Sequence, residues 1–267
     1  MTLANKITFA VAVNKPEILE ENLLASPCFA MPHGHQILIQ ENFGSAAKAY
    51  NDAIEKSVND LIVFCHQDVF LPAAWLSQLQ KALDRLTEQD PNWGVLGNCG
   101  ITRDGCSRGH IYSSGLGVLG QPFEQPAPVQ TLDEIVLILR KSSGLRFDES
   151  LPHFHLYGTD ICLRAANRGM KSYTICAFCI HNTHQSLILP GEFYECCAHV
   201  RRVWRDALPI QTTCIRITRL NYPVFVRRLH EVYLRYLRRK TVGGKRVRNV
   251  QGLLEELASK PLTGNRA

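Results

Sequence analysis

His66, Gln67 and Asp68 follow directly on five apolar residues, Leu61 to Cys65. That run is rich in strand formers and predicts a strand buried on both faces, as in a parallel sheet covered by helices. Open α/β sheets bind ligands outside the carboxyl ends of such strands, where the loops fan apart. An imidazole and a carboxylate two residues apart at that end suit a divalent cation. Mg²⁺ and Mn²⁺ need few protein ligands and complete their shells with substrate phosphates and water. Asp68 is the candidate ligand, and His66 a second ligand or a phosphate contact. Read locally, the same three residues also suit a polar turn before Pro72.

Three other places carry polar groups in a suggestive order. From Asn42 to Asn51 a loop runs into a helix, and Asn42, Ser45 and backbone N–H groups there could face a nucleotide or phosphate, although Ser45 is equally a helix cap. Gly158-Thr159-Asp160 sets a carboxylate in the first turn of a helix, where the macrodipole keeps a base ionised and also stabilises the helix end. Cys176, Cys179, His181 and His184 invite a zinc reading. Only one residue separates Cys179 from His181, too few to bring two ligand pairs around one ion. The cysteines are therefore expected in a strand, leaving His181 or His184 to meet the crevice.

Strands are predicted over Ile7 to Val13, Ile37 to Gln40, Leu61 to Cys65 and Gly94 to Gly97, and helices from Pro16, over Ala46 to Ile54 and over Trp75 to Leu86. Their alternation predicts βαβ units and an α/β fold, a Rossmann-like, mostly parallel sheet flanked by helices. Residues 98–130 are rich in Gly and Pro, and the second half reads as shorter strands with longer loops. Val129 to Leu132 and Ile135 to Leu139 read as strands, Thr159 to Arg168 as a helix capped by Thr159 and ended by Gly169, and Tyr173 to Ile180 as a last strand.

The 267 residues are 45% apolar and 20% charged, which describes a folded globular chain rather than a disordered one. No apolar run approaches the roughly 20 residues of a spanning helix. Ten cysteines, several inside core-like segments, read as free thiols of a reduced compartment. A cytoplasmic chain, peripheral at most to the inner face of a membrane, is expected. The net charge of +6 hides an asymmetry: residues 201–248 hold fourteen Lys and Arg against two acids, Asp206 and Glu231, whereas the rest holds 16 basic and 22 acidic residues. The basic end should meet something anionic.

Taken in order, these pieces resemble the GT-A nucleotide-sugar glycosyltransferases, in particular the inverting family-two-like branch. The likeness runs from Ile7 to His184. It rests on Val13-Asn14, on Asn42-Phe43-Gly44-Ser45 through Tyr50-Asn51, on Ile62-Val63-Phe64-Cys65-His66-Gln67-Asp68, on Phe147-Asp148-Glu149, on His155-Leu156-Tyr157-Gly158-Thr159-Asp160, and on Cys179-Ile180-His181. His66 stands where the family motif has its first aspartate, and Thr159 where an acid is common. The resemblance implies a GT-A domain over 1–190 and a basic, mainly helical extension over 191–267. It implies a hexosyl- or N-acetylhexosaminyl-transferase, of bacterial envelope or glycan biosynthesis, using a nucleoside diphosphate sugar, most often a UDP-sugar, with Mn²⁺ or Mg²⁺. Asn14, Asn42, Ser45, Asn51, His66 and Gln67 would bind the donor, and Asp68, His66 and His181 the metal. Asp160 would be the catalytic base, and Asp133 and His155 would line the site of a glycan, lipid-linked or protein acceptor.

Val224 to Lys240 carries Phe225, Leu229, Val232, Tyr233, Tyr236 and Leu237 at helical spacing, with Arg228, Arg235 and Arg239 on another face. This stripe suits docking on the catalytic domain or on a second copy in a homodimer, and secondarily peripheral contact with anionic lipid. Two other classes of function are compatible with the residues: a non-catalytic nucleotide-sugar or carbohydrate-binding relative, and a nucleic-acid binder using the basic end. The latter lacks any recognised module with interleaved aromatic residues, so no nucleic acid is expected.

Overall fold

The computed structural model describes residues 7–30, 33–239 and 241–259. Strand β1 (Ile7–Ala12) leads to α1 (Pro16–Glu21), which opens on Pro16, a residue whose missing N–H has no partner to lose in a first turn. Then come β2 (Gln36–Gln40), α2 (Ala46–Lys56), β3 (Leu61–His66), β4 (Val69–Phe70), α3 (Trp75–Gln89) and β5 (Val95–Gly97). Strands β6 (Cys99–Ile101), β7 (Ser107–Ser113), β8 (Gly117–Gly120), β9 (Ala127–Val129), β10 (Thr131–Leu132) and β11 (Val136–Arg140) follow without a helix among them. The chain ends with α4 (Tyr157–Asn167), β12 (Ser172–Thr174), β13 (Ile180–His181), α5 (Gly191–Val203), β14 (Ile210–Gln211), β15 (Arg216–Ile217), α6 (Tyr222–Val232) and α7 (Val250–Ser259).

The central sheet has seven strands in the order β2-β1-β3-β11-β5-β12-β9. β2, β1 and β3 are parallel, as are β5 and β12, but β11 runs antiparallel to both its neighbours, so the sheet is mixed. That reversal matters for the site. Because β11 enters where β3 ends, Val136 pairs with Cys65, and the N–H of His66 donates to the carbonyl of Ile135 at 3.1 Å. Asp133 and Glu134 therefore stand at the rim where His66 emerges.

Burial alternates along the strands as the pleat requires. Ala10, Ile62, Phe64, Leu137 and Leu139 face a core shared with α2, α4 and α5, while Phe9, Val11, Val63, Cys65, Val136 and Ile138 face one shared with α3. Phe64, packed against Tyr50 and Phe147, joins the layers; its truncation to Ala would cost about 3–5 kcal/mol. The first core also takes in Ile210, Ile215, Ile217 and Val224. Packing thus runs unbroken across residue 190, the expected boundary of the extension.

Four sequence expectations need correction. Within residues 98–130, β6, β7 and β8 build a second sheet, order β10-β6-β7-β13-β4 with β8 on β7, and β9 joins the central sheet, so the stretch holds more strand than its Gly and Pro content suggests. Its hairpins are Gly-rich because the backbones touch: Gly109, at φ +144, lies against the carbonyl of Asn98 where a side chain would not fit. The last strand splits in two, because the chain leaves the central sheet after Thr174 and joins the second sheet at Ile180. Helix α4 starts at Tyr157, with Leu156 left-handed before it, and Thr159 is buried inside its first turn instead of capping it. Finally, the apolar stripe of α6 does not dock on this domain. Phe225, Leu229, Val232 and Tyr236 are 53–68% exposed, because α6 packs through Val224 and Glu231, the latter held by Arg227 and accepting from Leu189 N. A π-helical turn, Tyr233–Arg238, ends the segment, and Lys240 lies outside the described residues. No described helix is long and apolar enough to cross a membrane.

Candidate functional site

Strands β3 and β13 come from different sheets, yet their ends meet. β13 pairs with β4, setting His181 opposite Val69, one residue beyond Asp68. One ligand atom from each of His66, Asp68 and His181 lies within 4.8 Å of the others, and this is the group of three metal-capable side chains among the described residues. His181 Nε2 is 3.5 Å from Asp68 Oδ1, the two imidazole rings are 5.6 Å apart, and His66 Nε2 meets the Tyr157 hydroxyl at 3.0 Å. His184 is exposed and stands outside the group. The cysteines of the zinc reading do not join it either. Cys179 is fully buried, its thiol pushed up by burial, and the Cys176 sulfur accepts from Phe123 N. All ten cysteines are free.

Burial pushes the Asp68 carboxyl up, but the hydrogen bond and charge of His181, with the charges of His66 and Arg246, outweigh it and hold the group well below the usual carboxylate range. Burial also lowers the pKa of His66, against the pull of Asp68, and so favours the neutral ring that can give a lone pair to a cation. Two imidazoles and an ionised carboxylate can hold a divalent ion, with water or substrate oxygens completing its shell.

A cleft of about 490 Å³ opens beside the cluster, lined by Val13, Asn14, Gln40, Asn42, Phe43, Tyr50, His66, Gln67, Asp68, Phe154 and Tyr157. Of the expected donor residues, Asn14, Asn42, His66 and Gln67 lie in this wall. Gln67 is fixed there by accepting from the N–H groups of Asn14 and Lys15 and donating to Asn14 Oδ1 at 2.6 Å. Ser45 and Asn51 do not line it. Ser45 caps α2 by accepting from Lys48 N, and buried Asn51 braces the Phe147 backbone and Glu149. Their residue types suited a ligand, but their positions in the helix turn them to the core. A larger cavity, about 880 Å³, lies elsewhere under Arg201, Arg202, Arg205 and Arg219, without the carboxylate–imidazole group.

The basic end reaches the cluster through one side chain that the sequence did not single out. Arg246 Nη2 is 3.6 Å from Asp68 Oδ2, and its Nε donates to the carbonyl of Asn182. The segment is laced down by Asn182, which donates to Val247 O and accepts from Val247 N, and by backbone bonds between Gln185 and residues 243–244. Gly244 lies against Gly115, and a Cβ there would strike the Gly115 backbone. The charge asymmetry was the signal available; which of fourteen cations it meant was not.

Asp160 is the largest departure. It is 1% exposed, its Oδ1 accepts from Trp204 Nε1 at 2.7 Å and its Oδ2 from Arg164 Nε at 2.6 Å, and Arg164 is shared with Asp148. The i, i+4 spacing to Arg164 and the packing of Trp204 turn this carboxylate away from the cleft, so the convergence of Asp68, Asp160 and His181 does not occur. Asp133 and His155 do not line the cleft, although the charges of both reach His66. Asp133 accepts from the hydroxyl of Thr213 at 2.6 Å and from Ile135 N, and His155 packs on Phe193.

The family model described as "Glycosyltransferase like family" matches residues 8–188. A curated relative from Fuscovulum blasticum, "ATP synthase subunits region ORF 6", is 30% identical over 119 residues, 43% of this chain and 48% of that one, so the match spans about half of the relative. Among solved structures, GalNAc-T7 with UDP, GalNAc and Mn²⁺ aligns at 9% identity and a TM-score of 0.47, covering 68% of this chain and 44% of that one. The mannosyltransferase PcManGT of Pyrobaculum calidifontis, in complex with GDP-Man and Mn²⁺, aligns at 12% identity and a TM-score of 0.47 over 98% and 77%.

Proposed function

Because the chain belongs to this glycosyltransferase-like family, we propose that its cleft binds a nucleoside diphosphate sugar and passes the sugar, with inversion, to an acceptor hydroxyl. The observation that carries the proposal is the meeting of His66, Asp68 and His181, with His66 and Asp68 in the wall of the 490 Å³ cleft. Asn14, Gln40, Asn42 and Phe43 offer the polar edges and aromatic face that a nucleoside needs. The diphosphate would lie toward Asp68. There His66, Asp68 and His181 would hold a divalent ion, which when bound offsets the negative charge of the leaving diphosphate. Arg246 adds a fixed positive charge on the same side, suited to a phosphate oxygen.

A uridine donor carrying a hexose or N-acetylhexosamine remains our reading, with Mn²⁺ or Mg²⁺ as the ion. The acceptor enters from the rim formed by Asp133, Glu134 and His155. The exposed stripe of α6, beside the arginines of the same end, suits an anionic lipid surface and hence a lipid-linked glycan acceptor. The test is nucleotide release from UDP-glucose, UDP-galactose, UDP-N-acetylglucosamine and GDP-mannose, each with Mn²⁺ or with a chelator. Release from one of them that needs the metal and is lost in Asp68→Ala is expected. No release from any donor under any metal condition, with no donor bound, counts against transfer.

A further inference from the structure

We propose that the cavity of about 880 Å³ apart from the donor cleft is a second binding site, one that holds the phosphate of a phosphorylated lipid whose hydrocarbon chain lies in the apolar groove beside it. The proposal deepens the lipid-linked acceptor suggested above. It rests on the glycosyltransfer reading for the lipid's role as acceptor, and not for its binding.

Four arginines from separate elements converge on this cavity. Arg201 and Arg202 stand in the last turn of α5, Arg205 opens the single turn Arg205–Ala207 that follows, and Arg219 comes from the loop between β15 and α6. A helix C-terminus attracts cations, which accounts for Arg201 and Arg202. Arg205 and Arg219 lie beyond that turn. Gathering four like charges around one opening costs repulsion that a bound anion removes. The wall sets one acid against them, Glu195, which already meets His153 Nε2 at 2.8 Å. Among the described residues Arg201, Arg205 and Arg219 have no acid or hydrogen-bond partner, and Arg202 gives one N–H to His199 Nδ1 at 3.2 Å. Open guanidinium forks suit the paired oxygens of a phosphate.

The groove makes the anion a lipid. Leu208 and Arg219 line both the basic cavity and a neighbouring hollow of about 500 Å³, whose other walls include Pro209, Leu220, Tyr222 and Pro223. Leu220 and Tyr222 are exposed there. Tyr222 also begins the row that Phe225 and Leu229 continue at spacings of three and four along α6, so the groove opens onto the exposed stripe of that helix. Charge at one end and a continuous apolar track at the other match an amphiphile better than a free anion. The site also lies close to the donor. Ser150 and Pro152 line the basic cavity and Phe154 lines the cleft, and the chain from Pro152 to Phe154 spans at most about 7 Å.

Calorimetric titration of the full chain with inorganic phosphate and with ethyl, hexyl and dodecyl phosphate, each below its micelle concentration and with a chelator present, tests the site without donor or metal. Affinity should rise about threefold per methylene while the chain fills the groove. The double variant Arg205→Gln, Arg219→Gln, at two exposed positions, should weaken dodecyl phosphate about 100-fold, about tenfold for each charge-assisted contact. Leu220→Ser should flatten the chain-length series and leave inorganic phosphate unchanged. Equal affinity along the series describes a free-phosphate site and overturns the proposal, as does a double variant that binds like the wild type. A short single-stranded oligonucleotide that outcompetes dodecyl phosphate overturns it in favour of nucleic acid. Dodecyl phosphate bound as expected by a chain that releases nucleotide from no donor keeps the site and overturns glycosyltransfer; nucleotide release without that binding does the reverse.

Discussion

Asp68 and Asp160 are 7% and 1% exposed, each ends a short motif, and each meets a guanidinium, yet only Asp68 has an opening in front of it. Asp68 lies where two sheets part, its neighbours are imidazoles that can turn from hydrogen-bond partners into ligands, and Arg246 stands off at 3.6 Å. Asp160 is closed on every side by Arg164, Trp204 and the packing of α4 on α5. A buried acid is thus a site only if its partners can be exchanged for a ligand. Asp160 has partners that finish a core.

The sharpest way to break the contrast is to remove Asp68. Asp68→Ala should cut nucleotide release about 1,000-fold and erase its dependence on Mn²⁺, the scale expected when charge stabilisation at a leaving group is lost. A metal response that survives counts against the cluster. Arg246→Ala comes next. Losing one charge-assisted contact to phosphate should weaken donor binding about 10-fold, read by titration calorimetry, with a smaller change in Tm. Equal affinity would make Arg246 a mere strut of the 243–247 segment.

Asp160→Asn should leave the rate per folded molecule within threefold while lowering stability by about 1–3 kcal/mol, since the amide leaves one oxygen for both Arg164 and Trp204 and removes the charge that pairs with Arg164. A stable but inactive D160N would reverse the comparison. The smallest effect is in pH. The folded-state pKa of Asp68 is depressed, so its contribution is complete above the unfolded value of about 3.9 and fades as pH falls through the lower folded value. The difference in urea midpoint between wild type and Asp68→Asn should therefore shrink from pH 5 to pH 2.5. A constant difference would mean that the charge of Asp68 adds nothing to folding.

What could be read from the sequence follows what is local. The apolar run before His66, the Pro at the start of α1 and the Ser45 cap of α2 fix their elements through neighbours in the chain, and they are where the sequence places them. The partners of a side chain depend on elements far away. Helical periodicity sets Asp160 four residues before Arg164 but says nothing of Trp204, which arrives from the end of α5. The reversal of β11, which carries Ile135 to His66, is hidden for the same reason. A strand's pattern states which residues are buried and not which way the strand runs. Arg246 was one cation in a basic stretch until Asn182 fixed the segment that holds it.

The central claim is that the His66–Asp68–His181 cluster meets the donor and that Asp160 stands outside the site. Thermal unfolding of wild type, Asp68→Ala and Asp160→Asn with a UDP-sugar, with and without Mn²⁺, tests it in one plate. The account predicts a metal-dependent rise in Tm for wild type and for D160N, and none for D68A. A rise that survives in D68A and vanishes in D160N would contradict it.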